Sequence, residues 1–488
     1  MQETDFKFAK YTAVISDMHL CEAEPVNEKY PLWKKYKTRE FFYDDVVGNF
    51  LQHLEGLSKN EKIELILNGD IFDFDSITSI PAEPIFRVSW IEKSRGLFPR
   101  EDRALYKMKC IIRDHQEFFS SLRGFILRGH KIVLVFGNHD VELHFQSVQD
   151  EIKKALDLPK EFAESFRFTE WFYVSNQDTL IEHGNQYDPY CVFEDPINPF
   201  SRSYNYVTMK LPFGNLACRY IVNGMGFFNP HVDSNYIMSL KDYVAIFLRY
   251  MVRAQPFLIL TWFMGALMTL YYSLRDRVLV PVRNPLKIED RIQNMADRSN
   301  VEPRVIRELK ELFVSSATRN PLLIMKELWL DRAFLILVSF LIIFQLFTVM
   351  KAAFGVSLFW GFIPLFIMVP FFLFYSKSIS SNVSSFKEPD EKTLAIASAI
   401  TSVKRIVYGH THIARHEIIG PVEHLNSGCW SPAFLDIECK KPIDQKTFVW
   451  ICPNENNGRK AELRKFVSGQ SEIFRNPRGK QFAELKSS

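Results

Sequence analysis

The sequence predicts an α/β fold, and two observations predict it. Short apolar runs of the length of buried strands stop abruptly and are followed by Asp, Asn or His, and this arrangement occurs five times along the chain. Between them, the spacing from Glu101 to Leu122 predicts a helix. Buried parallel strands present functional groups at their carboxyl ends, in the crevice where α/β proteins bind ligands. The organising stretch is Lys131 to Asp140, KIVLVFGNHD, which places Asn138, His139 and Asp140 at such an end.

In chain order, TAVISDMHL (12–20) is the first strand and ends in Asp17 and His19. The two flank one residue, so an extended backbone would set them on one face, able to grip one ion. KIELILNGDIFDFD (62–75) repeats the pattern with Gly69, Asp70 and Asp73, the glycine allowing a tight turn beside a ligand. Residues 81–99 form an irregular loop with Arg87, Trp90, Arg95 and Phe98. That loop makes the span of about 80–129 read as a lid-like insertion, a solvated connection being the alternative. DTLIEHG (178–184) ends at His183, and RIVYGHTH (405–412) delivers His410 and His412. EHLNSGCW (423–430) and TFVWIC (447–452) are two further strands. Residues 454–488 are polar and basic and read as a solvated tail.

Composition sets limits on function. The chain has 488 residues and a net charge of only +3, so nothing in its charge argues for nucleic acid. Seven scattered cysteines with no CxxC suit a reducing compartment, and neither a disulfide framework nor a zinc ribbon. The opening residues are polar and lead directly into a strand, which predicts a cytosolic N-terminal part. Three stretches, 257–272, 333–350 and 354–375, are apolar and free of Asp, Glu, Lys and Arg. Runs near 20 residues match a bilayer core, a hydrophobic helical subdomain being the alternative.

Asp17, His19, Asp70, Asn138, His183, His410 and His412 offer only oxygen and imidazole nitrogen, a donor set for Mn, Fe or Zn. Two ions need about this many ligands, one carboxylate bridging. A lone histidine is ordinarily a satisfied core residue, yet five of the twelve histidines fall in these motifs.

In that order, DMH, GDIFD, GNHD, a lone HG and GHTH resemble the five motif blocks of the calcineurin-like metallophosphoesterases, over residues 12–184 and 404 to about 452. SDMHL, HGNQYD and GHTH are most similar to the UDP-2,3-diacylglucosamine diphosphatases of lipid A synthesis. That branch typically has arginine where this chain has His139, and lacks an apolar block before GHTH. The resemblance implies a four-layer α-β-β-α sandwich, split in sequence by an inserted helical membrane region. It implies one ion held by Asp17, His19, Asp70 and His412, and another by Asp70, Asn138, His183 and His410. Manganese comes first among the candidates. His139 would stabilise or protonate the leaving oxygen, and Asp140 would orient His139. Asp73 would hydrogen-bond a ligand histidine or cap the following turn. Asn185 and Asp188 would touch substrate or only hold their loop, and Asn426 is open between the same readings.

Ligands on both sides of the apolar block must meet in one site, which demands an even number of membrane crossings. The expected division is therefore a phosphoesterase domain in two parts, 1–240 and 400–453, around a membrane-associated insertion at 241–376. Within the insertion, 333–350 and 354–375 form a transmembrane hairpin and 275–332 an amphipathic linker. The stretch 257–272 lies in the interface or re-enters, or spans in place of the third. The expected function is hydrolysis of a lipid-linked phosphodiester or pyrophosphate at the inner or cytoplasmic membrane, on its cytosolic side. Alternatives are a membrane-anchored hydrolase of another phospholipid, glycolipid, phosphoprotein or soluble nucleotide, and a non-catalytic scaffold. No nucleic-acid partner is expected.

Overall fold

The computed structural model describes residues 6–203, 206–226, 247–253, 256–282, 285–355, 389–434, 436–442, 445–455 and 458–475, with a few isolated positions between them. Most of the third apolar stretch, 354–375, and the end of the tail from 476 lie outside the described residues.

A seven-stranded mixed sheet carries the first motifs. Its strands are β1 (Tyr11–Ile15), β2 (Ile63–Asn68), β3 (Lys131–Val135) and β4 (Phe166–Thr169), joined by three strands from the end of the chain. β1 to β4 are parallel, with Ala13 opposite Leu65 and Leu65 opposite Ile132. A five-stranded sheet contains β5 (Phe172–Ser175) and β6 (Thr179–Glu182), followed in spatial order by the later strands Arg405–Tyr408, Val422–Asn426 and Arg415–Ile419. A small three-stranded sheet is made by β7 (Phe200–Ser203), β8 (Tyr206–Met209) and β9 (Val280–Pro281). Of the later strands, β10 is Arg405–Tyr408, β11 Arg415–Ile419, β12 Val422–Asn426, β13 Thr447–Pro453, β14 Arg459–Val467 and β15 Gln470–Ile473.

The alternation of each strand divides the core. Val14, Ile66, Val133, Val449 and Ile451 of the larger sheet form one cluster with Tyr173, Ile181, Val407 and Leu425 of the smaller. The opposite residues of the larger sheet, Ala13, Leu65, Leu67, Ile132 and Leu134, pack with α1 (Asp44–Leu57), α2 (Glu101–Asp114), α3 (Gln116–Leu127) and α4 (Gln146–Leu156). β1 to β3 are buried on both faces and so read as continuous apolar runs.

Three sequence expectations change here. The helix expected over Glu101–Leu122 is two helices, broken at His115, whose buried ring contacts Asp44 and the Cys21 carbonyl. Both helices belong to the core, and the stretch expected as an irregular loop, 81–99, holds a short helix, Trp90–Arg95, capped by Ser89, with Leu97 buried and Ile91 and Phe98 packed on the core. Next, the segment expected as an amphipathic linker, 275–332, holds α7 (Pro285–Ser299) and α8 (Pro303–Lys310). Their Met295, Ala296, Ile306 and Leu309 pack with Trp171, Leu180 and Ile406 of the five-stranded sheet region, because helical spacing puts these apolar residues on one face. Lastly, the expected polar tail supplies β14 and β15. Ala461, Leu463 and Phe466 are buried while charged residues between them face out, a strand pattern concealed by overall polarity. The strands that follow the apolar stretches thus extend beyond the expected 400–453, with the helix Glu391–Thr401 before β10 and with β14 and β15 reaching Ile473.

α5 (Phe213–Ala217) continues through a π-helical turn, Cys218–Val222, into Asn223–Met225. Against it lies α6 (Leu258–Val278), which contains the stretch expected at 257–272. Its Gly265, Ala266, Thr269 and Ser273 are buried and its Ile259, Leu260, Tyr271 and Val278 exposed. α9 (Leu330–Phe354) is, among the described residues, the one helix long and apolar enough to cross a membrane. Its mean hydropathy reaches 2.6 with none of that window buried.

Candidate metal centre

The strands stop just before the residues that matter. β1 ends at Ile15 and β10 at Tyr408, and Asp17, His19, Asp70, His410 and His412 all have backbones in the left-handed region, with φ of 55, 52, 51, 66 and 57°. The expectation that Asp17 and His19 share the face of an extended strand is thus corrected. They converge through left-handed turns, a conformation costing a side-chain-bearing residue of order 1 kcal/mol or more. Hydrogen bonds between loops hold it. Asp17 N donates to Gly69 O at 3.1 Å, His19 N to Asp70 O at 2.9 Å, Gly409 N to His183 O at 3.0 Å and His410 N to Asp17 Oδ2 at 3.1 Å.

Four groups of ligand-type side chains result among the described residues, His19 with Asp73 and His139, Asp188 with Cys191 and His410, and two made wholly of expected ligands. Asp17, His19 and His412 bring one ligand atom each within 4.8 Å of one another, and so do Asp70, His183 and His410. His412 Nε2 lies 3.2 Å from both Asp17 Oδ1 and His19 Nε2. His183 Nε2 lies 3.1 Å from Asp70 Oδ2 and 4.0 Å from Asp17 Oδ1, which joins the groups. Glycine is required twice at this convergence. A Cβ on Gly69 would stand 2.5 Å from the His183 ring, and one on Gly137 would collide with Asp70 Oδ1.

These residues suit a cation. Asp17 Oδ1, Asn138 Oδ1 and His183 Nε2 are buried and make no hydrogen bond among the described residues, although two of them have charged neighbours within about 3 Å. The His183 Nδ1 contact to Asn68 O, 3.0 Å, leaves Nε2 as the nitrogen able to face a cation. Burial works to raise Asp70, but His183, His139 and His19 around it hold its carboxyl well below the usual range. Burial would lower His183, yet Asp70 and Asp17 hold it up to about 9. The carboxylates thus create the negative field that a divalent ion neutralises.

The remaining site residues divide by what they touch. The Nδ1 of His139 is 3.4 Å from Asp73 Oδ1 and 3.6 Å from Asp75 Oδ2. Burial would lower His139, whereas Asp70, Asp73 and Asp75 push it up to about 10. Asp140, expected to orient His139, instead accepts from Gly137 N at 2.6 Å and Ile71 N at 2.9 Å, tying the loops of Asn138 and Asp70 together. Its side chain points at backbone amides because its own turn folds it back onto Gly137. Asp73 also caps the next turn, accepting from Asp75 N and Ser76 N at 3.0 and 2.9 Å. Asp188 Oδ2 sits 3.0 Å from His410 Nε2. The Asn185 amide donates to the Cys191 carbonyl at 3.0 Å, and Asn426 donates to Gly409 O at 2.7 Å, so both shape loops. Asp75, Asn215 and Arg219 were not singled out from sequence. Asp75 could have been, as the third aspartate of GDIFDFD; the other two stand in an unremarkable helix.

Residues 11–211 match the calcineurin-like phosphoesterase family. The chain carries a calcineurin-like phosphoesterase domain. No curated protein matches the chain. The phosphoesterase match contains Asp17 through His183 and stops short of His410 and His412, which the fold returns to the same place. The protein is a metal-dependent phosphoester hydrolase of the kind that binds two metal ions, and its His/Asp clusters are able to hold them.

Metal binding by the phosphoesterase domain should compete with protons. His183 has to give up its raised proton, so apparent affinity should climb with pH towards about 9 and weaken as pH falls. Adding manganese at a hundredfold excess over its Kd to chelator-treated protein should stabilise it by about 2.7 kcal/mol. Thermal unfolding at pH 6 and pH 8 measures both effects; an unchanged Tm at both values would remove these clusters as the ion site.

Proposed function

We propose that this enzyme hydrolyses a phosphodiester or pyrophosphate bond in a lipid-linked substrate such as UDP-2,3-diacylglucosamine, at the cytosolic face of an inner or cytoplasmic membrane. In this reading Asp17, His19, Asp70 and His412 hold one ion, and Asp70, Asn138, His183 and His410 the other, with manganese as the expected metal. Two divalent ions supply Lewis-acid stabilisation of phosphoryl charge and a nucleophile at neutral pH. His139 does the proton work. Its Nδ1 side faces Asp73 and Asp75, so Nε2 is the atom that donates to the leaving oxygen. Asp188 fixes the His410 ring, leaving its Nδ1 as the ligand nitrogen. The clusters described above support the expected four-layer sandwich: helices on the outer face of each sheet and an apolar layer between the sheets.

The observation that carries the lipid reading is the exposed apolar surface of α6 and α9. Phe334, Leu337, Phe340, Leu341, Phe344 and Leu346 of α9 are each more than half exposed, as are Ile259 and Leu260 of α6. Burying one such side chain fully is worth roughly 1.5–3 kcal/mol, so a helix of them in water forgoes an amount comparable with the usual 5–15 kcal/mol stability of a domain. A bilayer removes that cost. Because α10 (Glu391–Thr401) and β10 rejoin the domain, a spanning α9 has to be followed by a return crossing. The surface is also close to the chemistry. α6 packs on α5, whose Asn215 donates to the carbonyl of Asn138, and Arg95, at the end of the short helix Trp90–Arg95, and Phe98 touch α6 at Thr261 and Tyr272.

Turnover of the detergent-purified, manganese-loaded protein on UDP-2,3-diacylglucosamine, beside a soluble nucleotide phosphodiester, tests this. Chelator-sensitive release of UMP from the lipid alone is the expected result. Turnover of the soluble ester with the lipid untouched would reduce the apolar helices to an anchor.

A further inference from the structure

We propose that Asn215 and Arg219 are positioning residues for phosphoester hydrolysis, acting from outside the matched 11–211 region by fixing Asp75 and, through it, His139. The inference rests on the reading of His139 as the group that protonates the leaving oxygen.

The contacts form one buried frame. The Asn215 amide nitrogen donates to Asp75 Oδ2 at 2.5 Å and to the Asn138 carbonyl at 2.7 Å, bridging the acid beside His139 and the loop that carries a proposed ligand. Arg219 uses its fork in three directions. It donates to Asp75 Oδ1 at 2.7 Å and to Leu97 O at 3.0 Å, and lies 3.5 Å from Glu142 Oε1. Lys107 Nζ, 3.4 Å from the same Glu142 oxygen, balances the second acid. The side chains of Asp75, Lys107, Glu142 and Arg219 are each only 1 % exposed.

Two acids and two cations so deeply buried are a poor source of stability, because desolvation offsets most of their attraction. What the frame supplies is geometry. Held from two sides, the Asp75 carboxylate keeps its charge fixed 3.6 Å from His139 Nδ1, an ion-pair contact that favours one ring orientation, and catalytic groups need placement within about 0.5 Å. The π-helical turn at Cys218–Val222 contains Arg219, and such turns re-aim the side chains they carry. On its far side the same segment seats α6. A Cβ on Gly265 would lie 2.5 Å from Tyr220 O, and Thr269 Oγ1 donates to Leu216 O at 3.5 Å. The helix with the exposed apolar face and the residues that hold His139 therefore share one support.

The test uses leaving groups. The full chain, metal-loaded in detergent, is assayed on two aryl phosphodiesters, one releasing p-nitrophenol, which departs without a proton, and one releasing phenol, which needs it. Asn215→Ala and Arg219→Lys should lower kcat on the phenyl ester about tenfold, with KM within about twofold, and barely change the nitrophenyl ester. His139→Ala should show the same pattern, larger. Equal losses on both esters in Asn215→Ala and Arg219→Lys, a change in KM alone, or no change would overturn the proposal while His139→Ala still discriminates. If His139→Ala itself loses both esters equally, the reading of His139 fails and this inference with it. Should Arg219→Lys not fold, Asn215→Ala decides, because it leaves the Asp75–Arg219 ion pair in place.

Discussion

Replacing Asp70 with Asn is expected to lower kcat by roughly a thousandfold or more, about 4 kcal/mol of transition-state stabilisation. Asp70 belongs to the group with His183 and His410, it is 2 % exposed, and its Oδ1 also accepts from His139 N at 2.7 Å. In the proposed arrangement it is the carboxylate shared by both ions. Asn keeps the shape and tolerates the left-handed backbone at φ 51°, so the fold should survive and only the charge is lost. Metal analysis of the purified variant should find at most one ion where the parent holds two. The metal-free variant should be less stable than the metal-free parent near neutral pH, since the His183, His139 and His19 rings that hold the Asp70 carboxyl below its usual range lose their partner. Full activity with two ions bound would exclude Asp70 as the bridge.

His139→Ala should cost about 10²- to 10⁴-fold in kcat, the usual worth of a positioned general acid, with metal content unchanged. His139 follows Asn138 directly and stands 5.1 Å, ring to ring, from His19, close enough to serve a phosphoryl group held at the ions. Its surroundings keep it protonated in the absence of cations, with Asp73 and Asp75 on one side. Bound ions would lower that affinity for the proton, moving it towards the range in which an acid both holds and yields one. A variant that lost its metals together with its activity would instead make His139 a support of the ion site.

Much of the site was legible because its motifs are local. Asp17, His19, Asp70, His183, His410 and His412 each follow a short apolar run, and the residue types alone specify oxygen and nitrogen donors. Roles that depend on contact were not legible. Asp140 looked like the partner of His139 because it is adjacent in sequence, yet it bonds Gly137 and Ile71, while Asp73 and Asp75 occupy the position beside the ring. Adjacent residues in a turn point apart, and a partner is found by folding. Similarly, Asn215 and Arg219 carry no motif, since a helix residue announces a polar role only when its burial is known.

The sequence by itself determined the α/β class, the buried strands and the oxygen and nitrogen donors at their ends, because strand burial and donor type are written in consecutive residues; the reaction chemistry came with the resemblance of its motifs to a family. Only the tertiary structure decided that the segment 285–310 covers the five-stranded sheet and that 459–473 completes the seven-stranded one. Their apolar positions are few and separated by charges, so their partners lie far away in the chain. Folding likewise decided the left-handed backbones that gather these side chains, since neither Asp nor His declares such a φ in isolation. That conformation is held by hydrogen bonds between loops more than fifty residues apart in sequence, which no local pattern records.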